Sequence, residues 1–259
     1  MHTSAKAHIE RGVIQMEEVV FHTAYETKYN NWTPYDKKLS VSAYAKSLDS
    51  SKPLSPLDWQ TECFEALCLS KNCFINAVTG AGKSICMQLL NHHWLSMDNT
   101  QKAVIAVPQQ MIAQGYKGRS IAIGGDIVDF DPEILDGVTQ ESTIKRLLEF
   151  LSAKPSNNKV FNKNTARRSI VCTHSTLVSA VGRLTKQQRK LYFKNVRLWI
   201  DEAHHLGCRS YTDCSGKIMY QQNELADIVE FLIDNGCSVN MATATAFRGD
   251  GDLSLKSTH

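Results

Sequence analysis

Eight residues, Ala77-Val78-Thr79-Gly80-Ala81-Gly82-Lys83-Ser84, stand between a short apolar run and a helical one. That order leaves few folds open. The run from Cys73 to Val78 has the near-continuous apolar character of a strand buried on both faces, which belongs to parallel sheets covered by helices. After the glycines, Ile85, Leu89 and Leu90 share one helical face that Trp94 extends. In a strand, glycine turn and helix unit, backbone N–H groups and the helix N-terminus converge on an anion seat. Gly-Lys-Ser gives that seat its chemistry. Lys83 reaches the β/γ oxygens of a nucleotide and the Ser84 hydroxyl ligates magnesium, while Thr79, Gly80, Ala81 and Gly82 cradle phosphates through the main chain. The first position of the usual spacing is glycine; here it is Ala77.

More strand and helix signals follow at the spacing of crossover units. Ala103 to Val107, Ile121 to Ile123, Ser169 to Thr173, Val196 to Ile200 and Cys237 to Ala242 read as strands, making six with the first. Helical periodicity separates them, at Gln109–Tyr116, Ser142–Leu151 and Glu224–Ile233 among others. Strands alternating with helices predict an α/β fold with a doubly wound, mainly parallel sheet. A further helix from Leu57 to Leu67 precedes the first strand, with Gln60 near its start. A glutamine amide there offers the donor and acceptor that read the N6 and N7 edge of adenine. The fifth strand ends in Asp201-Glu202-Ala203-His204. Two acids at a strand tip suit magnesium-assisted hydrolysis, Asp201 holding the metal and Glu202 deprotonating the attacking water.

Residues 1–50 carry no such signal and form an extension packed on the main domain of residues 51–259. Ile9, Val13, Met16 and Val20 predict an amphipathic helix. Tyr25 to Tyr35, aromatic and polar, predicts a loop or a docking strand. Serine and proline between Ser50 and Pro56 mark the boundary.

Length and composition exclude some classes. The 259 residues, 42% hydrophobic, suffice for a sizeable core, and no apolar run approaches the roughly 18 residues of a membrane span. The expected setting is cytoplasmic, or nuclear in a eukaryotic host, with no membrane partner. None of the eight cysteines is spaced C-x2-C; reduced structural thiols are expected. Cys208 and Cys214 near His204 and His205 match no common zinc spacing. Net charge is only +3, yet residues 152–200 hold eleven Lys and Arg and no acid, whereas 126–141 hold six acids and no base. The basic stretch predicts a face for a phosphate backbone.

Taken together, these residues resemble the superfamily-two helicases and translocases, in the first of their two RecA-like domains. The likeness covers about residues 55–250. Leu57 to Gln60 is similar to the adenine-reading glutamine motif, and Ala77 to Ser84 to motif I, where family members often carry alanine first. Val107 to Gln114 resembles motif Ia, with Gln110 where many members have arginine. Gly124-Gly125 and Cys172-Thr173-His174 resemble the small nucleic-acid-contacting motifs. Asp201 to His204 is the DEAH form of motif II, and Thr243-Ala244-Thr245 resembles motif III. His205, and the ending Thr-Ala-Thr-x-Phe-Arg-Gly-Asp-Gly, look most like the DNA-acting restriction and repair translocases, although Ala246 replaces the usual proline.

The resemblance implies a three-layer α/β/α RecA-like domain and an ATP-dependent motor acting on nucleic acid, DNA in preference to RNA. ATP and Mg2+ are the implied cofactors. His204, Thr243 and Thr245 would couple nucleotide state to strand contact, and Pro108, Gln109, Gly125 and Thr173 would touch the strand. A second RecA-like domain, in cis or in trans, is the implied partner; it has no counterpart in residues 51–259, so weak ATP binding and slow hydrolysis are expected of this chain alone. A competing expectation is a nucleotide-gated interaction module that binds ATP and docks a partner without unwinding. Kinase-like phosphoryl transfer is argued against by DEAH with Thr-Ala-Thr.

Overall fold

A computed structural model describes residues 8–10, 13–15, 32–36, 57–77, 80–123, 126–137, 139–153, 168–206, 208–212 and 218–244. Strands β1 (His8–Glu10) and β2 (Val13–Gln15) pair with each other, and β3 (Trp32–Asp36) follows. Helix α1 (Asp58–Leu67), β4 (Asn72–Asn76), α2 (Lys83–Met97), β5 (Lys102–Val107) and the short α3 (Gln110–Gln114) come next. A hairpin of β6 (Arg119–Ile123) and β7 (Asp126–Phe130) leads to β8 (Glu133–Ile134), α4 (Gln140–Ser152) and β9 (Ser169–Thr173). Helices α5 (His174–Gly182) and α6 (Lys186–Phe193) precede β10 (Val196–Asp201) and a 3-10 turn at Ala203–His205. The hairpin β11 (Cys208–Thr212) and β12 (Ile218–Gln222), helix α7 (Glu224–Asp234) and β13 (Ser238–Thr243) complete the described chain.

Seven strands form the main sheet in the order β3-β4-β13-β10-β5-β9-β8. Every neighbouring pair in it is parallel. Because side chains alternate along each strand, the two faces bury different sets. Val104, Ala106, Ile170, Cys172, Leu198, Ile200, Val239 and Met241 face one layer, made by α4, α5, α6 and α7. Cys73, Ile75, Ile105, Val107, Val171 and Trp199 face the other, made by α1, α2 and α3. Burial on both faces is why these strands read as unbroken apolar runs. The result is the three-layer α/β/α arrangement that the sequence predicts.

Two expectations are corrected. The run Ile121 to Ile123 is not a strand of the main sheet; it belongs to β6, antiparallel to β7, with Ile123 opposite Asp126. Gly124-Gly125 between two short runs is a hairpin signal, and it outweighs the reading as one more crossover. The main sheet gains β3 and β8 instead, so the extension supplies an edge strand, as the docking-strand reading allows. Pro34 is tolerated in β3 because an edge strand needs no ladder donor on its outer side. Nor is there a helix at Ile9 and Val13. Ile9 pairs with Ile14 across the two residues Arg11-Gly12, and β-branched Val13 and Ile14 after a glycine favour the hairpin.

Two buried asparagines join β4 to β13 beyond their regular ladder. Asn240 Oδ1 accepts from the Cys73 N–H at 3.0 Å, and Asn72 Oδ1 accepts from the Val239 N–H at 3.0 Å. These side chains satisfy main-chain donors that burial would otherwise leave unpaired. They fix β4 against β13 near the amino ends of the two strands, opposite the carboxyl edge where the functional residues begin.

Candidate nucleotide site

The carboxyl ends of β4, β13, β10 and β5 lie side by side, so the loops after them share one crevice. This is where open parallel sheets place ligands. Above β4 the loop closes through Gly80 and Gly82, whose φ angles of 81° and 84° are left-handed. Helix α2 then starts at Lys83, with Gly82 as its N-cap. Lys83 is 7% exposed; its ammonium donates to the Ala77 carbonyl at 3.0 Å and sits 4.0 Å from Glu202 Oε1. Burial pulls its pKa down, while the Glu202 and Asp201 carboxylates oppose that shift.

Asp201 ends β10 with its carboxylate enclosed. Tyr116 Oη donates to Oδ2 at 3.1 Å and the Glu202 N–H to Oδ1 at 3.0 Å. Burial, then the neighbouring Glu202 charge, raises its pKa, and the Tyr116 bond works against both. Glu202 has φ 51°, the only non-glycine left-handed residue among those described. Such a conformation costs on the order of 1–3 kcal/mol and persists where surrounding structure enforces it. Here it turns the chain sharply out of β10 into the 3-10 turn, setting the Glu202 carboxylate against Lys83. His204 Nδ1 then lies 3.2 Å from Thr243 Oγ1 and 3.3 Å from Glu202 Oε2. Thr243 in turn accepts from the Ala77 N–H through its carbonyl, at 3.1 Å. One chain of contacts thus joins the glycine loop, the strand-tip acids and the end of β13.

Gln60 is placed beside the loop, but its amide is engaged there. Nε2 faces the carbonyls of Ala81 at 3.4 Å and Gly82 at 3.2 Å, and Oε1 accepts from the Leu57 N–H at 2.8 Å. In this structure Gln60 braces the loop, and reading adenine requires it to exchange those partners. Pro108, Gln109 and Thr173 lie at the adjacent ends of β5 and β9, where Val107 pairs with Thr173. Gln109 is exposed. The Thr173 hydroxyl accepts from the Thr176 N–H at 3.1 Å and caps α5. A groove of about 290 Å³ beside them is lined by Gln110, Gln140, Thr143, Thr173, Ser175 and Thr176 among others. Thr79, Gly125 and Thr245 lie outside the described residues, as do the side chains of Cys208 and Cys214.

Two residues at the site carried no sequence signal. Tyr116 and Arg119 lie just beyond α3, and only the fold brings them to Asp201 and to Ser84, whose Oγ accepts from Arg119 Nη1 at 3.1 Å. His174, buried for the most part, sets Nε2 3.0 Å from the Asp201 carbonyl. The basic stretch, by contrast, proves partly structural. Arg168 is 2% exposed and donates to the carbonyls of Leu95, Asp98 and Gln101. Arg183 forms a two-bonded pair with Glu141, at 2.6 Å each. Arg197 lies over the Trp94 ring at 4.3 Å. Lys186, Lys190 and Lys194 remain exposed on or beside α6. The density of basic residues in sequence therefore overstates the positive face, since long side chains on buried strands reach carbonyls and rings first.

Residues 58–249 match the DEAD/DEAH box helicase family. This chain belongs to that family. The matched span includes the glycine loop, the Asp201 to His204 tip and β13. Among solved structures, the UvsW helicase from bacteriophage T4 is similar with a TM-score of 0.40 at 16% identity, over 77% of this chain and 56% of that one. The structure of the DUF1998 helicase MrfA bound to DNA and AMPPNP gives 0.45 at 15% identity, over 75% of this chain and 24% of that one. The chain thus spans less than two thirds of either. A comparison with curated protein sequences finds no match. Among the described residues no helix is long and apolar enough to cross a membrane.

Proposed function

We propose that this domain is the ATP-binding half of a nucleic-acid motor, an ATP-dependent helicase or translocase working on DNA in preference to RNA. One arrangement carries the reading: Lys83, Ser84, Asp201 and Glu202 meet at the carboxyl edge of a parallel sheet, with the Lys83 ammonium 4.0 Å from Glu202. Lys83 binds the β/γ phosphate oxygens, leaving the Ala77 carbonyl to do so. Glu202 takes the proton of the attacking water, its carboxylate oriented by His204. Ser84 and Asp201 offer a hydroxyl and a carboxylate, the hard oxygen donors that suit Mg2+. A magnesium ion held by Ser84 and Asp201 would supply positive charge against the charge that develops on the phosphates during transfer.

The contacts of His204 with both Glu202 and Thr243 support the coupling role, with Thr245 continuing the same motif in sequence. Strand contact falls to Pro108, Gln109, Gly125 and Thr173, and the preference for DNA rests on His205 and the Thr-Ala-Thr-x-Phe-Arg-Gly-Asp-Gly ending. A second RecA-like domain, in cis or in trans, completes the cleft. Arginine fingers supply roughly 10³- to 10⁵-fold in rate elsewhere, so the chain by itself turns over slowly.

The test is ATP hydrolysis with and without single-stranded DNA or RNA, in wild type and Glu202→Gln. Stimulation by DNA that the substitution abolishes supports a DNA motor. ATP-dependent capture of a protein partner, with no stimulation by either nucleic acid, would overturn it in favour of a nucleotide-gated module.

A further inference from the structure

We propose that Arg119 is a phosphate ligand that exchanges places with the metal: it holds Ser84 when the site is free of Mg2+ and binds triphosphate oxygens directly. This inference rests on the nucleotide-site reading above and adds a residue to it. Arg119 opens β6, outside every motif that the sequence displays. Its Nη1 donates to Ser84 Oγ at 3.1 Å, the same oxygen that a phosphate-loop serine offers to magnesium. A guanidinium and a divalent cation cannot both occupy that position, since their charges repel and their contact distances overlap.

The surroundings of Arg119 point to an anionic ligand. The guanidinium is half-buried. Among the described residues, no carboxylate lies within salt-bridge distance of it; the ion pairs there involve Lys83, Lys145, Arg146, Arg183 and His204. A charge taken out of water without a counter-charge is costly. A planar fork of donors is suited to carboxylate and phosphate oxygens alike, and the glycine loop beside Ser84 makes phosphate the anion to hand. The residue is also held in place. The Gly118 N–H donates to Asp131 Oδ1 at 3.1 Å, which fastens the start of the hairpin, and Nη2 packs 3.6 Å from where a Gly115 Cβ would stand. Beneath it, Tyr116 is 1% exposed and bonded to Asp201. The guanidinium therefore stays at the phosphate end of the crevice whichever partner it takes.

The experiment measures binding of a fluorescent, non-hydrolysable ATP analogue by anisotropy, once in excess Mg2+ and once in EDTA. Arg119→Gln is expected to weaken binding in EDTA by about tenfold, the worth of a charge-assisted bond to phosphate. In Mg2+ its affinity is expected to equal or exceed that of wild type, because a competitor for Ser84 is gone. Arg119→Lys, which keeps the charge, should restore most of the EDTA binding. Equal losses in both buffers, or no loss in either, would overturn the inference while leaving the nucleotide site intact. Lys83→Ala separates the two levels: if wild type binds in neither buffer, or Lys83→Ala binds as wild type does, the nucleotide-site reading itself fails and this inference with it.

Discussion

The Gln60 amide stands so close to Gly82 that a side chain at position 82 would displace it. Nε2 donates to the Gly82 carbonyl at 3.2 Å and lies 2.5 Å from where a Gly82 Cβ would stand. Gly82 also has φ 84°, a conformation in which an L side chain is strained. Gly80 shares the left-handed φ, yet nothing stands within 4 Å of its Cβ position. Gly80→Ala should therefore cost about 1 kcal/mol, from backbone strain alone. Gly82→Ala should cost clearly more and weaken ATP binding, because Gln60 must release the loop. Urea denaturation and nucleotide titration of both variants check the order; equal effects would contradict it.

Among the described residues, the Tyr116 hydroxyl is the one side-chain donor on Asp201 Oδ2. Tyr116→Phe removes it and leaves a buried carboxylate oxygen desolvated, at a cost of about 1–3 kcal/mol. The sign with pH follows from the shift. Burial raises the Asp201 pKa above its unfolded value, so the folded state binds more protons between the two, and this group's contribution falls as pH rises through the folded pKa. The Tyr116 bond acts only on the ionised form. The deficit of Tyr116→Phe should thus be larger above the raised folded pKa of Asp201 than below it, where the carboxyl is protonated. Denaturation midpoints of both proteins on both sides of that pKa decide the matter.

Much of the fold was legible because it rests on local signals. β9 and β10 read as apolar runs since both faces of each are covered. The glycine loop and DEAH tip were legible because their spacing is set by covalent geometry at strand ends. What escaped was tertiary. Tyr116 and Arg119 acquire meaning from residues 85 and 35 positions away, and no window of sequence contains both partners. Gln60 announced a polar amide, but its present partners are loop carbonyls brought there by the packing of α1 on α2. The basic stretch misled for the same reason, since charge in sequence does not say which bases a sheet and two tryptophans will absorb.

That last point gives a sharp contrast. Arg197 donates to Gln101 Oε1 at 3.0 Å, to the Lys71 carbonyl at 2.7 Å, and lies over Trp94, which stacks on Trp199. Arg197→Ala should destabilise the domain by about 2–4 kcal/mol, through unpaired carbonyls and lost ring contact. Lys190→Ala, at an exposed helix position, should stay within about 0.5 kcal/mol. Nucleic-acid affinity should show the reverse order once folded protein is compared: Lys186, Lys190 and Lys194 together set the salt dependence, and replacing all three flattens it. A salt slope that survives the triple replacement would place the phosphate contacts elsewhere.

His174 ties the end of β9 to the DEAH tip, and its burial makes that tie sensitive to acid. Desolvation, reinforced by nearby His205, lowers its pKa to about 4, with the bond to the Asp201 carbonyl working the other way. His205 faces it with ring centroids 5.7 Å apart, and His204 lies beyond at 4.4 Å from His205. Between the unfolded value near 6.5 and the folded one, the unfolded chain binds more protons, so stability is full above pH 6.5 and falls as pH drops toward 4. His174→Gln keeps a side-chain donor and removes the titration. It should lose a little stability at pH 7.5 and then decline less steeply than wild type between pH 6.5 and 4.5. Urea midpoints at those three pH values measure the two slopes, and parallel declines would show that the acid sensitivity belongs to other groups.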